Sequence, residues 1–411
     1  MIAIYSNTGE WGGVDILIGR FASYLSLRQI DFCIIEPGGG RIRNELPNAR
    51  FVNPDQVELI AKQVTHVFVP SVSKLRDPWF PWGPLAHATV ITWIVHPNDV
   101  FRSFFPYSNA SMNIFGYRVV KPLRYLFRTH ANLFDAIFAR LVKENALIVM
   151  DGATLRSLKY FAPKLDAEPG LVPVPSPLSD EIAVRHQDSG KLSIGYLGRM
   201  DVMKWSAIQP FIRDTLAPLA KHRQIVLHLV SEGTHLSRVE QLCSEIGVEF
   251  HCYGYLPNLQ AREVIFTKSD LAIAMGTSAL DIAGAGHPCV IIDPNLGALA
   301  RRQMRFRFVH EIEDYTLGEF RDFPGYIQGH HEFEELTDKN QLYIACSKGR
   351  EYVRHAHDPV RCFDELLNRI NGSTLQVSEL AKDIRSLLLS FSHVKDRPLP
   401  YLAGILLGKI R

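Results

Sequence analysis

The most constraining feature of this sequence is a folding pattern that is completed once and then begins again. Short runs of β-branched and other apolar residues alternate with amphipathic segments, which is typical of a parallel sheet with helices on both faces. The segment Glu168–Asp180 interrupts the pattern with four prolines, which can neither continue a helix nor serve in a central strand. The chain of 411 residues is also too long for one compact core. We therefore expect two successive doubly wound α/β units.

The predicted strands are short and follow one another closely. The first half contains Ile2–Tyr5, Phe32–Glu36, His66–Pro70, Thr89–His96 and Ala146–Asp151, with a helix at Val14–Leu27 after the first strand. The second half contains Leu192–Leu197, Ile225–Val230, Val248–Tyr253, Leu271–Ala274, Cys289–Ile292 and Phe306–Val309. Its predicted helices are Ala207–Leu219, His235–Ile246, Leu259–Lys268 and much of Leu342–Leu389.

The composition favours a reducing compartment and gives no sign of nucleic acid. The net charge is +2, so there is no general attraction for a polyanion. The six cysteines are scattered, without the close spacing of a zinc or redox site. We identify no signal peptide and no apolar stretch of about 18 residues that could span a membrane. These features together predict a cytoplasmic protein.

The loop between the first strand and the first helix contains Gly12 and Gly13. Two glycines let backbone N–H groups approach an anion without a Cβ in the way. A plain turn between a strand and a helix would use the same residues, so both interpretations stay open here.

The corresponding loop of the second half is more informative. The strand ending at Leu197 is followed by Gly198 and Arg199, and Lys204 comes five residues after the arginine. An arginine and a lysine that reach one diphosphate can neutralise the charge of a leaving group without a metal ion. The alternative is two solvated cations on a loop, which is the usual environment of arginine and lysine.

The pattern G-R-x-D-x-x-K at residues 198–204 resembles the donor-diphosphate motif of the large retaining (group 1) family of GT-B glycosyltransferases. That family includes mannosyl- and glucosyltransferases of cell-surface polysaccharide synthesis. The resemblance implies two Rossmann-like doubly wound domains that face each other across a cleft. It places an acceptor domain at residues 1–175, a nucleotide-sugar donor domain at 185–350, and helices at 351–411 that pack back on the first domain.

Further segments match the family in the same order and imply roles for their residues. Arg199 and Lys204 would hold the donor diphosphate, and His96 would contact the transferred sugar or the acceptor; a lone histidine at a strand end can equally be structural. Asp281 would accept hydrogen bonds from the ribose. The remaining donor-binding residues implied by the resemblance are Gly12, Gly13, Gly198, Glu232, Gly233, Tyr255, Gly276, Thr277 and Ser278.

One departure from the family leaves the chemistry open. The family carries two glutamates separated by seven residues, and Asp281 matches the second. The first falls at Ile273, or at Ala274 or Met275 in another alignment, and none of these is acidic. Because that glutamate commonly contacts the transferred sugar, neither sugar identity nor retention of configuration follows from the resemblance. The chain is thus similar to a divergent member of the family.

A basic segment suggests contact with an anionic membrane. If Tyr117–Lys143 is helical, one side of it carries Arg118, Lys121, Arg124 and Arg128. Such a helix can lie on an anionic membrane surface. It can equally be a surface helix whose apolar stripe is buried in the first domain.

We therefore predict a glycosyltransferase of cell-surface polysaccharide synthesis that moves a hexosyl unit from a nucleoside diphosphate sugar to a hydroxyl of a glycan or lipid-linked acceptor. Retention of configuration is what the resemblance to the family leads us to expect. The expected partners are these two substrates and, peripherally, a membrane surface. We expect no cofactor and no metal ion. Two alternatives share the fold: a nucleotide-sugar epimerase, whose paired carboxylates and histidine we cannot assemble, and a non-catalytic protein that binds a nucleotide sugar or a partner.

Overall fold

The structure is a computed structural model that describes residues 1–6, 13–38, 42–96, 99–100, 117, 120–178, 190–295 and 304–392. The chain forms two compact units. The first comprises Met1–Ser111, Arg118–Val174 and Val360–Arg411, and the second comprises Met112–Tyr117 and Pro175–Pro359. The chain thus passes from the first unit to the second within the proline-rich segment.

The described residues of the first unit form a parallel sheet of seven strands. Its spatial order is β3-β2-β1-β4-β5-β6-β7. The strands are β1 (Ile2–Tyr5), β2 (Phe32–Ile35), β3 (Phe51–Val52), β4 (His66–Val69), β5 (Thr89–Ile94), β6 (Leu147–Val149) and β7 (Gly170–Leu171). The five longer strands were predicted. The edge strands β3 and β7 have two residues each, too few to produce a recognisable apolar run.

Helices cover this sheet and supply much of its core. They are α1 (Gly13–Leu27), α2 (Ile42–Glu45), α3 (Val120–Leu126), α4 (Arg128–Lys143) and α5 (Gly152–Phe161). Leu17, Phe21 and Leu25 of α1 keep helical spacing and are buried against Ile4 and Ile34 of the sheet. This packing fixes the first turn of α1 beside the carboxyl end of β1.

The described part of the second unit contains a sheet of six strands in the order β10-β9-β8-β11-β12-β13. They are β8 (Leu192–Leu197), β9 (Ile225–Val230), β10 (Glu249–Cys252), β11 (Leu271–Ala274), β12 (Cys289–Ile291) and β13 (Arg307–Phe308). All were predicted, with ends shifted by at most two residues. The last strand runs antiparallel to β12, whereas the other pairs are parallel. This is the doubly wound strand order, in which the connections reverse direction between β8 and β11.

The helices of the second unit follow its strands in turn. They are α6 (Val202–Pro210), a π-helix (Phe211–Leu216), α7 (Ala217–Leu219), α8 (Leu236–Glu245), α9 (Asn258–Lys268), α10 (Thr277–Gly284) and α11 (Lys339–Ala356). The sequence predicted the helix after β8 to start at Ala207. It starts five residues earlier because the side chain of Asp201 accepts the N–H of Lys204 and caps the helix there.

Two further helices belong mainly to the first unit, α12 (Pro359–Gly372) and α13 (Val377–Ser392). The ring of Phe363 on α12 lies 5.3 Å from the ring of Phe21 on α1. Between the two helices, Leu375 accepts a hydrogen bond from the N–H of Val90 in β5 at 2.8 Å. The C-terminal helices are therefore part of the first unit's core.

The basic segment differs from its prediction. It forms two helices, α3 and α4, and Pro122 lies in the first turn of α3. Lys121 and Arg128 are exposed, whereas Arg118 lies outside the described residues. Arg124 was predicted to face the membrane, and this is wrong. Its guanidinium donates a hydrogen bond to the carbonyl of Phe161 and lies 2.7 Å from the carboxylate of Asp135. Only 15% of the Arg124 side chain is exposed. No helix within the described residues is both long and apolar enough to cross a membrane.

Candidate functional site

Three loops at one edge of the second sheet carry most of the predicted site residues. Strands β9, β8 and β11 are neighbours, and their carboxyl ends lie at the same edge. In a doubly wound sheet this is the edge where ligands bind, at the point where the strand order reverses. The structure thereby brings Arg199, Glu232 and Gly276 to one region.

The loop after β8 is held by its own strand and by the helix that it opens. The hydroxyl of Tyr196, on a completely buried side chain, donates to the carbonyl of Arg199 at 3.3 Å. The N–H of Gly198 donates to the carbonyl of Val230 on β9 at 3.2 Å. Asp201 then caps α6 at 2.9 Å, which places Lys204 in the first turn of that helix. The spacing of Arg199 and Lys204 is therefore fixed by local structure.

Lys204 lies in an electrostatically unusual position. Lys204 is half-buried, and the pKa of its ammonium group is lowered from 10.5 to about 8, chiefly because burial disfavours the charged form. The carboxylate of Asp201 raises this pKa, whereas the smaller effect of the Arg199 charge lowers it. The ammonium group forms no ion pair within the described part of the chain. Because Asp201 offsets only part of the effect of burial on this cation, an anionic ligand at the same place would favour its charged form.

The loop after β9 packs directly against the loop after β8. The N–H of Met200 donates to the carbonyl of Glu232 at 2.7 Å. Gly233 has φ +135°, and a Cβ built on it would lie 2.6 Å from the carbonyl oxygen of Met200. Only glycine allows this approach. Glu232 itself is exposed to solvent.

An aromatic pair that was not predicted from the sequence connects α6 and α8, the helices that follow these two loops. The rings of Trp205 on α6 and His235, the residue before α8, stack with centroids 5.3 Å apart and planes 4° from parallel. Both side chains are half-buried. The residue next to Lys204 is thus tied to the residue two positions after Gly233. No local pattern signals such a pair, because its members belong to different strand–helix units.

The third loop opens α10. Gly276 has φ +64° and ψ −146°, and its N–H donates to the carbonyl of Leu317 at 2.7 Å. The backbone conformation of this residue is available almost only to glycine. Gly276 has no side chain that could cap the helix. The first N–H groups of α10, at Thr277 and Ser278, belong to the end of the helix that follows β11 at the carboxyl edge of the sheet.

Asp281, in the second turn of α10, has a partner that was not predicted from the sequence. The guanidinium of Arg262 on α9 lies 3.2 Å from its Oδ1, and the hydroxyl of Ser176 donates to the same oxygen at 3.4 Å. A signal for Arg262 exists in the sequence: it falls between Ala261 and Ile265 on the apolar stripe of α9. A charged residue in such a stripe indicates a buried partner.

The other predicted residues take less constrained positions. Tyr255 follows β10 at the sheet edge, and 61% of it is exposed. In the first unit, Gly13 opens α1 and is exposed, whereas Gly12 lies outside the described residues. His96 is half-buried two residues beyond β5, and its carbonyl accepts the N–H of Asp99 at 2.9 Å. The described residues contain no group of three histidine, cysteine or acidic side chains that could hold a metal ion.

Comparison with known proteins identifies the fold. No family model and no curated protein sequence matches the chain. Among solved structures, HepE from Anabaena in complex with UDP and glucose is 10% identical, with a TM-score of 0.54 over 90% of this chain and 99% of that one. A glycosyltransferase from Rickettsia africae is 15% identical, with a TM-score of 0.56 over 93% and 98%. The lipopolysaccharide outer core galactosyltransferase WaaB is 10% identical, with a TM-score of 0.55 over 91% and 99%.

Each of these structural alignments extends over nearly the whole length of both proteins, so it includes both units of this chain. At sequence identities of 10–15%, the structural similarity establishes the fold alone. Together with the two doubly wound sheets, they establish that this chain has the GT-B fold.

Proposed function

We propose that this protein is a glycosyltransferase that moves a hexosyl unit from a nucleoside diphosphate sugar to a hydroxyl group of a glycan or lipid-linked acceptor. The observation that carries the proposal is the convergence of Arg199, Lys204 and the uncapped start of α10 at the reversal point of the second sheet. The fold supports it, since one structure of the same architecture was solved with UDP and glucose. We place the reaction in cell-surface polysaccharide synthesis, on the cytoplasmic side of the membrane.

In this proposal the protein supplies positive charge where the leaving group acquires negative charge. As the bond from the sugar to the diphosphate breaks, Arg199 and Lys204 stabilise the departing diphosphate. The N–H groups of Thr277 and Ser278 and the dipole of α10 act on the same charge. The chemistry as proposed uses no metal ion. Asp281 orients the ribose from a carboxylate that Arg262 already holds in place.

Retention of configuration is part of the proposal and is tested by the anomeric form of the product. Attack of the acceptor from the side of the leaving diphosphate would place the developing charge beside Lys204. His96 would contact the sugar or the acceptor.

A non-catalytic nucleotide-sugar-binding protein is the second candidate. It is favoured by the positions where the related family carries its first glutamate, because Ile273, Ala274 and Met275 are apolar and buried. Donor binding without release of a nucleoside diphosphate, with every acceptor offered, would support this candidate.

The decisive experiment measures thermal stabilisation by UDP, GDP, ADP, TDP and CMP. A ligand at about 100 times its dissociation constant adds about 2.7 kcal/mol to the free energy of unfolding. We expect one nucleoside diphosphate to stabilise the wild type and not the Arg199→Ala variant. Arg213→Ala is the matched control, because Arg213 is an exposed cation on the π-helix of the same unit. No response to any nucleotide would overturn the proposal.

Peripheral membrane association is a separate part of the proposal. It rests on Lys121 and Arg128, which are exposed on successive helices, and not on Arg124, which is paired. Each exposed cation near an anionic surface contributes about 1 kcal/mol. We expect the wild type to float with anionic liposomes and the Lys121→Glu/Arg128→Glu variant to remain in solution. Equal flotation of the two proteins, or none with the wild type, would contradict this part.

A further inference from the structure

A pair of buried polar residues in the first unit has no role in the proposed donor site. Ser6 directly follows β1 and Glu36 directly follows β2. The parallel register pairs Ile4 with Ile34 and Tyr5 with Ile35, so Ser6 and Glu36 are the next neighbours along the two strands. The N–H of Ser6 donates to the carbonyl of Ile35 at 2.9 Å, which continues the ladder to this point.

The two side chains lie on the same face of the sheet. Ile4 and Ile34 both belong to the core beneath α1. Because side chains alternate along a strand, the residues two positions further on, Ser6 and Glu36, face the same way. Neighbouring strands are about 4.8 Å apart, so one small ligand can reach both side chains.

Each of these residues keeps a buried polar atom without a partner. Ser6 is 1% exposed and Glu36 is 2% exposed. The hydroxyl of Ser6 and Oε1 of Glu36 form no hydrogen bond within the described structure. A buried polar atom left in this state costs about 1–3 kcal/mol, and more when it is charged. Because the two residues follow neighbouring strands, one ligand with hydrogen-bonding groups at a matching spacing could satisfy both atoms.

The other oxygen of the same carboxylate is firmly held. Nε of Arg43 donates to Oε2 of Glu36 at 2.8 Å. The same guanidinium donates from Nη2 to Oδ1 of Asn53 at 3.3 Å and lies 4.8 Å from the ring centroid of Phe51. The carboxylate therefore cannot turn to satisfy Oε1 without breaking the contact with Arg43.

The chemistry of the pair selects its ligand. A carboxylate oxygen accepts hydrogen bonds, and a serine hydroxyl either donates or accepts. Adjacent hydroxyl groups on a neutral molecule satisfy both atoms at once, whereas the negative charge of Glu36 disfavours a phosphate or carboxylate ligand. Sugars carry such hydroxyl pairs.

We propose that Ser6 and Glu36 form a subsite for neighbouring hydroxyl groups of a neutral sugar. The position is consistent with ligand binding, since it lies at the carboxyl edge of a parallel sheet. Naming this sugar the acceptor rests on the proposed function; the subsite itself does not. Ser6 and Glu36 would then set which acceptor hydroxyls are recognised.

The test measures binding of methyl α-glucopyranoside, methyl α-galactopyranoside and methyl α-mannopyranoside by saturation-transfer NMR, with tetrahydropyran-2-methanol as a probe that lacks ring hydroxyls. The proteins are the wild type, Ser6→Ala and Glu36→Gln. Ser23→Ala and Glu58→Gln are matched controls, because both positions are exposed in the same unit. Ser6→Ala leaves the contact between Arg43 and Glu36 intact, so it tests the subsite even if Glu36→Gln folds poorly.

We expect at least one glycoside to bind the wild type, with its Kd raised about tenfold by either subsite variant, or about 1.4 kcal/mol. The control variants should match the wild type, and the probe without ring hydroxyls should not bind. Absence of glycoside binding, or binding that neither subsite variant weakens, would overturn the proposal and leave water as the occupant. The nucleotide response of each variant is measured in parallel. Loss of glycoside binding alone implicates the subsite, whereas a wild type that binds no nucleotide speaks against the transferase.

Discussion

The guanidinium of Arg262 lies 3.2 Å from the carboxylate of Asp281, and both side chains are about 90% buried. The pair contributes both to the stability of the fold and to the proposed donor site, because Asp281 is the residue proposed to orient the ribose. A buried charge needs its partner to remain tolerable, so the pair links the stability of the second unit to the geometry of the donor site.

Removing one member of this pair should be costly. We predict that Arg262→Met lowers the free energy of unfolding by about 3–5 kcal/mol, because Asp281 is left buried and unpaired. The double variant Arg262→Met/Asp281→Asn removes both charges and should recover a large part of the loss. Urea unfolding of the purified variants measures both values. A single variant as stable as the wild type would show that solvent reaches Asp281.

The lowered pKa of Lys204 predicts how stability depends on pH. Its folded-state pKa of about 8 lies below the ordinary value of 10.5, so the unfolded chain binds more protons between these two values. The contribution of this residue to stability therefore rises as the pH increases from about 8 to 10.5 and is unfavourable below that window. We expect the difference in unfolding free energy between the wild type and Lys204→Met to follow this slope.

The exposed Lys221 provides the control, since Lys221→Met should leave the pH profile parallel to that of the wild type.

The lowered pKa of Lys204 also predicts proton uptake when a nucleoside diphosphate binds near pH 9, because the anion favours the charged ammonium group. Calorimetry in buffers of different ionisation enthalpy measures this uptake. Identical heats in all buffers, after correction for dilution, would contradict the assignment of Lys204 to the diphosphate.

Much of the fold could be predicted because its signals are local. The strands β1, β8, β9 and β11 were predicted at the bounds that the structure shows. β1 and β11 are continuous apolar runs, and β8 and β9 are predominantly apolar runs in which only Ser193, Gly195 and His228 differ. The motif at residues 198–204 could also be recognised from the sequence, because all of its residues lie within seven consecutive positions. The start of α6 was missed because its cap, Asp201, outweighs the weak apolar pattern of the first turn.

The parts of the site that escaped prediction depend on contacts between distant segments. Arg262 reaches Asp281, and Trp205 reaches His235, across separate helices. Arg124 looked like a surface cation because a helical wheel does not reveal that Asp135 follows on the next helix. Pairing of this kind is set by how the elements pack, which periodicity in a single segment does not contain.

Gly233 should tolerate no side chain. A Cβ would lie 2.6 Å from the carbonyl oxygen of Met200, and the φ of +135° is itself unfavourable for other residues. We predict that Gly233→Ala lowers the free energy of unfolding by about 2 kcal/mol or more. Gly247 has φ +74° with no atom within 4 Å of a built Cβ, so Gly247→Ala isolates the backbone effect and should lose only about 1 kcal/mol. Equal losses in the two variants would contradict the close approach of the two loops.

The stack of Trp205 on His235 should position Lys204, since it ties the first turn of α6 to the start of α8. An aromatic pair contributes about 0.5–1.5 kcal/mol beyond its buried area. We predict that Trp205→Leu weakens binding of the nucleoside diphosphate about tenfold, or about 1.4 kcal/mol, and speeds amide exchange at Val202–Trp205. Trp205→Phe keeps a ring over His235 and should restore most of the affinity.

The matched control is His251→Leu on the edge strand β10. It removes a stack of similar geometry, in which the rings of His251 and His228 have centroids 5.2 Å apart and planes 12° from parallel. This variant should lose some stability and keep its nucleotide affinity. A positioning role requires Trp205→Leu to alter affinity and the pH profile of binding together, because both depend on where the ammonium group of Lys204 is held. If Trp205→Leu lowered stability alone, as expected for His251→Leu, the stack would be structural support for the two helices and no part of the donor site.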